Sequence, residues 1–447
     1  MRPDIRPECM TDYMEPASLR ALQLSRLQDT IRRCYDHVAL FRRRMDERGL
    51  APADIRSLDD LARLPFTDKN DLRDTYPYGL FAEPMSHVVR IHASSGTTGK
   101  PIVVGYTQED LDVWSEVVLR AFCAAGLDEH DVLQNAYGYG LFTGGLGAHC
   151  GGERLGLTVI PISGGNTERQ LLVMKDFGVT AICCTPSYFI HLIERIKETG
   201  HSFDQLKLRA GIFGAEPWTD AMRAYIQRES GIKAFDIYGL SEIIGPGVAI
   251  ECDKHDGLHL FEDHFYPEIV DPATGALLPD GTEGELVITT LTKKAFPMVR
   301  YRTHDITALM PGRCACGRTL RRIRRIGSRC DDMMILRGVN IFPSQIETAL
   351  LSVEKTLPHY QIHLTRKAGL DQMDVRVEVT KEMFGDRVSE LETMRRRLAH
   401  AIEHITGLRI PVILAEPNTI ARSEGKARRI IDHRDEPETR PPQPTTP

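Results

Sequence analysis

A chain of 447 residues, 42% hydrophobic and 26% charged, has enough material for two or three globular domains with an ample core. Its net charge of −6 argues against a dedicated nucleic-acid binder, and no apolar run approaches the roughly 18 residues of a membrane span. With a polar, proline-containing start and ten cysteines, the expectation is a soluble cytoplasmic protein with reduced thiols and no nucleic-acid or membrane partner.

Residues 1 to about 80 read as helical with proline breaks. A β-like run, His87–His92, leads into Ser94-Ser95-Gly96-Thr97-Thr98-Gly99-Lys100-Pro101. The following helix carries Leu111, Trp114, Val117, Val118, Ala121, Phe122 and Ala125 on one stripe, which reads as core. Buried strands are expected at Leu157–Ile162, Thr180–Cys184, Leu208–Phe213 and Ile232–Ile237, separated by helices such as Pro217–Ser230. Such alternation predicts a large layered α/β domain with parallel pairing and ligands at the carboxyl ends of strands. From about residue 257 the pattern turns β-rich, with Gly257–Val270, Gly284–Leu291 and Met298–Met310 as strands joined by Gly- and Pro-containing turns. A small α+β unit follows: strand-like Met333–Arg337, a proline-initiated helix Pro343–Leu351, strands near Tyr360–Thr365 and Val375–Thr380, a helix around Val388–Ile405, and a strand at Val412–Leu414. The predicted division is a domain over 1–330, a second over 331–434, and a disordered proline-rich tail over 435–447.

The loop ending in Lys100 has the chemistry of an anion cradle. Glycines let the backbone wrap a phosphate, hydroxyl and N–H groups donate to its oxygens, and the lysine adds charge. Two residues separate Gly96 from Gly99 and Pro101 follows the lysine, so the Walker A spacing is not met. A surface turn of the same composition is the alternative. Separately, Cys252 and His259 precede Cys314 and Cys316 in the β-rich region, a Cys3His donor set suited to a closed structural zinc site. His255 is an alternative ligand, and four buried or free side chains are the competing reading. Cys183 and Cys184 lie in an apolar strand and read as core. The run Arg321, Arg322, Arg324, Arg325 lacks interleaved aromatics and reads as a solvated strand face or a contact to an anionic cofactor.

Four further segments join the loop: Tyr238-Gly239-Leu240-Ser241-Glu242, Tyr301–Asp305, Gly327–Asp332, and Arg422-Ser423-Glu424-Gly425-Lys426. In this order they resemble the motif series of adenylate-forming enzymes, the acyl-CoA synthetases, luciferases and adenylation domains. Asn135–Gly145, Gly211–Trp218 and Arg337–Pro343 are similar to the phenylacetate–coenzyme A ligase family, and the resemblance runs from about residue 10 to 433. It implies a large N-terminal domain and a small, mobile C-terminal one that pivots at Asp331. It also implies that Ser95, Gly96, Thr97, Thr98, Gly99 and Lys100 wrap the ATP phosphates and that Glu242 holds Mg²⁺. Asp305 would accept from the ribose hydroxyls, Arg329 would lie near ribose or phosphate, and Tyr238 and Gly239 near the adenine.

Lys426 would neutralise charge at the reacting carboxylate and α-phosphate. An aromatic acid would lie among Tyr137, Phe142, Gly214, Ala215, Glu216, Ile237, Gly245 and Pro246. Two departures stand out: Ser328 occupies a position where the family commonly has Gly, and His304 one where Gly or Arg is usual. The activity implied is ATP-dependent conversion of an aryl acid, through its adenylate, to the coenzyme A thioester. Transfer of the acyl group to an amine or carrier-protein thiol is the nearer rival, and a silent nucleotide-binding assembly protein the more distant one. A homodimer is expected from the resemblance alone.

Overall fold

The computed structural model describes residues 5–93, 101–200, 202–336, 339–353, 356–367, 370–379, 388–422 and 427–434. The loop 94–100, the span 423–426 and the tail from 435 lie outside them. The chain divides into two units, Met1–Pro217 with Ile226–Cys330, and Trp218–Tyr225 with Asp331–Pro447.

In the larger unit the parallel strands are Thr158–Ile160, Val132–Asn135, Ala181–Cys184, Ala210–Gly214 and Lys233–Leu240, neighbours in that order, and all but Val132–Asn135 match expected runs. Ala181–Cys184 is buried along its whole length, as in a strand covered on both faces. Val132–Asn135 was not anticipated, because its Gln and Asn interrupt the apolar run; both side chains are buried and hydrogen-bonded. Beyond Lys233–Leu240 the sheet turns antiparallel through Gly245–Glu251, Leu258–Leu260, Arg322–Ile323 and Leu309–Met310, giving nine strands among the described residues. A second, antiparallel sheet holds Phe265–Val270, Gly284–Thr290, Tyr301–Thr307 and Ser328–Arg329. The single run expected over Gly257–Val270 is thus two strands of different sheets, parted by the turn at Phe261–His264, because burial continues through a turn whose polar groups are paired inside. The run Met298–Met310 likewise starts as a strand only at Tyr301 and splits after Thr307.

The helix Gln108–Ala124 packs its apolar stripe inward, with Trp114, Val117, Val118, Ala121 and Phe122 buried. Thr107 and Asp110 form a capping box, and the Asp110 carboxylate also accepts from the Lys294 and Ala295 N–H groups at 2.6 and 3.0 Å. Farther along, Arg120 is fully buried. It donates to Asp12 at 2.9 Å and in a fork to both oxygens of Asp263 at 2.9 Å each, and its guanidinium lies 4.5 Å from the Phe261 ring centroid. Asp12 also accepts from Arg318 at 3.1 Å. These pairs leave neither charge unpartnered, the condition for burying them.

The smaller unit has its own core, including Ile346, Leu350, Ile362, Val375, Leu398 and Ile402. Helices Pro343–Leu351 and Val388–Thr406 accompany a sheet ordered Val412–Ala415, Leu370–Glu378, Tyr360–Lys367 and Ile430–Asp432. The last of these strands was not anticipated. It pairs in parallel with Tyr360–Lys367, a long-range contact that three residues cannot announce in sequence.

His264 sits 3.0 Å from Asp263 and 2.9 Å from the Thr292 hydroxyl. Burial alone would lower its pKa, but the Asp263 carboxylate outweighs burial and raises it. A raised folded value means stabilisation that is complete below the unfolded pKa of about 6.5 and is lost as pH rises through the folded value. Urea midpoints should therefore fall more steeply above about pH 6.5 in the wild type than in His264→Gln; parallel curves would refute this coupling. Asp263→Asn, which leaves Arg120 half-paired, should cost about 3–5 kcal/mol of unfolding free energy.

Candidate functional site

Two strand irregularities in different sheets meet at one carboxylate. Along Tyr301–Thr307 the register against Gly284–Thr290 shifts between Glu285 and Val287, and His304 adopts a positive φ of 63°. Glycine would take this conformation without cost, and here a histidine takes it with its backbone N–H on Glu285 Oε1 at 3.1 Å and its ring Nδ1 3.4 Å from the same oxygen. Asp305, next in sequence, stands opposite Arg329 of the neighbouring strand and accepts from its guanidinium at 3.3 Å. From the other sheet, Tyr238 donates its hydroxyl to Asp305 at 2.6 Å. The register of Tyr238's strand also shifts immediately after it, between Tyr238 and Gly239. Burial first, and then the Asp305 charge and hydrogen bond, push the Tyr238 phenol well above its ordinary pKa, so it remains a donor. Phenol, carboxylate and guanidinium thus form one preorganised polar array.

After Leu240 the chain makes a turn through Ser241–Ile244 before the next strand, so Glu242 lies half-buried in a turn. Ser241 Oγ is 3.1 Å from Thr143 Oγ1. Glu242 faces the buried Tyr301, whose phenol is pushed well above its usual value by burial first and then by this carboxylate. Trp114, read as plain core, is the floor of this region: it donates Nε1–H to the Pro246 carbonyl at 3.0 Å and stacks on Tyr106 at 5.0 Å, and Tyr106 donates to the Ile244 carbonyl at 2.9 Å. Gly245 has φ of 111°, and a Cβ there would stand 2.4 Å from the Trp114 ring. At Gly239 a Cβ would meet the Gly245 carbonyl at 2.0 Å. Protein contacts alone therefore require glycine at both positions. Of the floor residues, Thr143 and Tyr301 fall within the segments Asn135–Gly145 and Tyr301–Asp305, whereas Tyr106 and Trp114 lie outside every motif, and helical periodicity marks Trp114 only as buried.

Of the residues expected around an acyl group, Tyr137 and Gly214–Glu216 lie at the carboxyl ends of parallel strands, Ile237 lies within Lys233–Leu240, and Gly245 and Pro246 open the antiparallel strand that follows it. Tyr137, two residues beyond Val132–Asn135, is buried, and its hydroxyl has no hydrogen-bond partner among the described residues. Its ring centroid lies 6.4 Å from that of the more exposed Phe142. Gly214 ends its strand against Ile237, and Ala215 has a positive φ of 69° that turns the chain so that Glu216 Oε1 accepts from the Ser187 N–H at 2.8 Å.

The cysteines form a separate, clearly bounded cluster. Cys252 Sγ lies 3.7 Å from Cys314 Sγ and Cys316 Sγ 3.4 Å from His259 Nε2, and all four ligand atoms fall within 4.8 Å of one another. A disulfide needs about 2.05 Å. Tetrahedral zinc, with Zn–S of about 2.3 Å and Zn–N of about 2.0 Å, needs S···S near 3.8 Å and S···N near 3.5 Å. The donors present therefore fit such an ion. His255 stands apart from this set, stacked on Phe235 at 5.1 Å with Nδ1 3.6 Å from Glu251.

Ser95, Gly96, Thr97, Thr98, Gly99, Lys100 and Lys426 lie outside the described residues. Asp331 falls in a short 3-10 turn, Cys330–Asp332, at the edge of the second unit. Of the arginine run, Arg324 is exposed and the other three are paired with carboxylates. Arg321 pairs with Glu262, the buried Arg322 with Asp256, and Arg325 with Asp236 and Glu251, because the short strand Arg322–Ile323 is paired inside the sheet and carboxylates from distant segments flank it.

A family model described as AMP-binding enzyme matches residues 47–292, and one described as AMP-binding enzyme C-terminal domain matches residues 338–434. The chain is 52% identical over 429 residues to the phenylacetate-coenzyme A ligase of Pseudomonas putida, covering 95% of this chain and 97% of that one. To the phenylacetate-coenzyme A ligase of Thermus thermophilus it is 50% identical over 430 residues, covering 93% and 97%. Among solved structures, 2-hydroxyisobutyryl-CoA ligase in the postadenylation state, in complex with R3-HIB-AMP, superposes with a TM-score of 0.90 at 29% identity, covering 97% of this chain and 93% of that one.

Gly245→Ala should be destabilising, by about 1–3 kcal/mol from overpacking alone, because the new methyl must displace the Trp114 ring. A thermal midpoint unchanged in this variant would show that the floor is not packed as described.

Proposed function

The chain belongs to the phenylacetate–coenzyme A ligase family of AMP-binding enzymes, and we propose that it activates phenylacetate or a closely related aryl acid. It is an AMP-forming acid–CoA ligase: a carboxylate oxygen attacks the α-phosphorus of ATP and pyrophosphate leaves. The coenzyme A thiol then attacks the acyl carbon of the mixed anhydride, and AMP leaves with the bonding electron pair. The observation that carries this reading is the match to phenylacetate–coenzyme A ligases over nearly the whole chain. Little covalent work falls to the protein in such chemistry, so positioning and charge stabilisation dominate.

The array at Asp305 supports a ribose site. Its carboxylate is an acceptor held from two sides by Tyr238 and Arg329, so it can take hydroxyl protons without first reorganising. Glu242 is proposed to hold Mg²⁺, for which a hard, half-buried carboxylate is suited, and the ion when bound would offset phosphate charge. The loop Ser95–Lys100 is proposed for the β- and γ-phosphates, and Lys426 as the cation that offsets charge developing between carboxylate and α-phosphate. The buried Tyr137, whose hydroxyl has no partner among the described residues, and Phe142 support an aromatic acyl group near the strand ends. Cys252, His259, Cys314 and Cys316 are proposed to bind a structural zinc, a closed donor set that leaves no coordination position for substrate.

Pyrophosphate release should depend on phenylacetate and should yield the thioester when coenzyme A is present. Release without thioester formation would move the acceptor to an amine or carrier thiol. Lys426→Ala should abolish adenylate formation and largely spare thioester formation from supplied phenylacetyl-adenylate; equal loss of both would contradict its role. Protein purified without added metal should contain about one zinc per chain, and Cys314→Ser should lose it together with thermal stability; a metal-free wild type with four freely titrating donors would end the zinc reading.

A further inference from the structure

The segment between the strand Val132–Asn135 and the helix Thr143–Leu155 carries both Tyr137 and Phe142, and one buried amide closes it. Asn135, the last residue of its strand and 0% exposed, bonds to three points along the segment. Its Oδ1 accepts from the Tyr137 N–H at 3.3 Å, and its Nδ2 donates to the Gly145 carbonyl and to the Tyr139 hydroxyl, at 2.7 Å each. Both amide hydrogens are thereby used. A Cβ at Gly145 would stand 2.5 Å from the Gly138 carbonyl, so the loop backbone lies directly on the first turn of the helix. The Phe142 ring is packed just as closely, 2.3 Å from where a Cβ of Gly144 would be.

Asn135 is itself held from behind. Its backbone carbonyl accepts from the Ser163 N–H at 3.2 Å, and the next residue, Ala136, donates its N–H to the Cys183 carbonyl of the neighbouring strand at 2.9 Å. The Tyr139 hydroxyl that meets Asn135 also stands 3.3 Å from His149 Nδ1, and His149 Nε2 stands 3.0 Å from Glu153 Oε1 one helical turn on. With the imidazole proton on Nε2, each donor in this chain meets an acceptor, from the Asn135 amide through Tyr139 and His149 to the Glu153 carboxylate. Burial raises the Tyr139 phenol above its ordinary pKa, which keeps it a donor.

We propose that Asn135 is a specificity-determining positioning residue for the acyl group: by closing the segment on Gly145 it fixes the gap between Tyr137 and Phe142. The inference rests on the reading of those two rings as acyl contacts. Tyr137 is tied through its backbone N–H, and Phe142 lies between Tyr139 and Gly145, the two residues that Asn135 draws together. The ring centroids stand 6.4 Å apart at an interplanar angle of 59°. An apolar residue in place of Asn135 would remove three bonds at once and free the loop from the helix. Fit in an apolar slot discriminates one methylene by about 10- to 200-fold, and a wall that shifts forfeits that discrimination.

Initial rates of acid-dependent pyrophosphate release by the full-length enzyme provide the test. Asn135→Leu keeps the volume and removes all three bonds. It should raise the KM for phenylacetate about 10-fold and lower the kcat/KM preference for phenylacetate over benzoate and phenylpropionate by about 10-fold, while the KM for ATP stays within about twofold. An unchanged preference, or parallel losses toward acid and ATP, would overturn the proposal. Should Asn135→Leu not fold, Tyr139→Phe, at a half-buried side chain, takes away the acceptor that orients Asn135 Nδ2. It must lower the same preference and leave the KM for ATP unchanged; an unchanged preference there overturns the proposal. If Tyr137→Ala and Phe142→Ala both keep the wild-type preference, the acyl reading fails instead. That result is distinct from an Asn135 variant that leaves intact a preference which the Tyr137 and Phe142 variants remove.

Discussion

The larger unit depends on the paired burial of Arg120. A guanidinium without access to water is tolerable only if its donors and charge are met, and Asp12 and Asp263 meet them from 108 residues earlier and 143 residues later in the sequence. The consequence is positional. The N-terminal turn, the helix Gln108–Ala124 and the corner between the two sheets are held at one point, with Arg318 extending the network from Asp12 toward the cysteine cluster. Six residues earlier on the same helix, Trp114 supports Gly245 and Pro246. The helix therefore transmits a constraint from a buried ion network to the floor of the candidate site.

On that floor, the two sheets contribute departures from regularity. A regular Tyr301–Thr307 ladder would alternate side chains without interruption. Burial alternates along the whole strand, so the register shift and the left-handed His304 change its pairing with the neighbouring strand and not the face Asp305 presents, and Tyr238 arrives from a strand that is itself bulged after it. His304 is accommodated because Glu285 meets both its N–H and its ring. With His304 so held, Asp305 stands opposite Arg329.

Much of this was legible in the residues. The Trp114 stripe, the strand Ala181–Cys184, the helix Pro343–Leu351 and the order of motifs each follow from local periodicity, turn chemistry or spacing. What escaped was non-local. Val132–Asn135 reads as polar until its Gln and Asn find partners inside, and Ile430–Asp432 becomes a strand only beside Ile362. Arg321, Arg322 and Arg325 look like a solvated face because the carboxylates that neutralise them, Asp236, Glu251, Asp256 and Glu262, lie as much as 89 residues earlier in the chain.

The sequence by itself determined the class of chemistry and the family, since motif residues must be particular types whatever surrounds them: a carboxylate at 305, a cation at 426, three sulfurs and an imidazole in the β-rich region. Only the tertiary structure decided how those groups are held. Which hydroxyl caps Asp305 and which ring forbids a side chain at Gly245 are properties of contacts between distant segments. Local propensity acts over a few residues, whereas a buried charge or a close backbone approach is satisfied wherever the fold brings a partner, and that partner has no required place in the sequence.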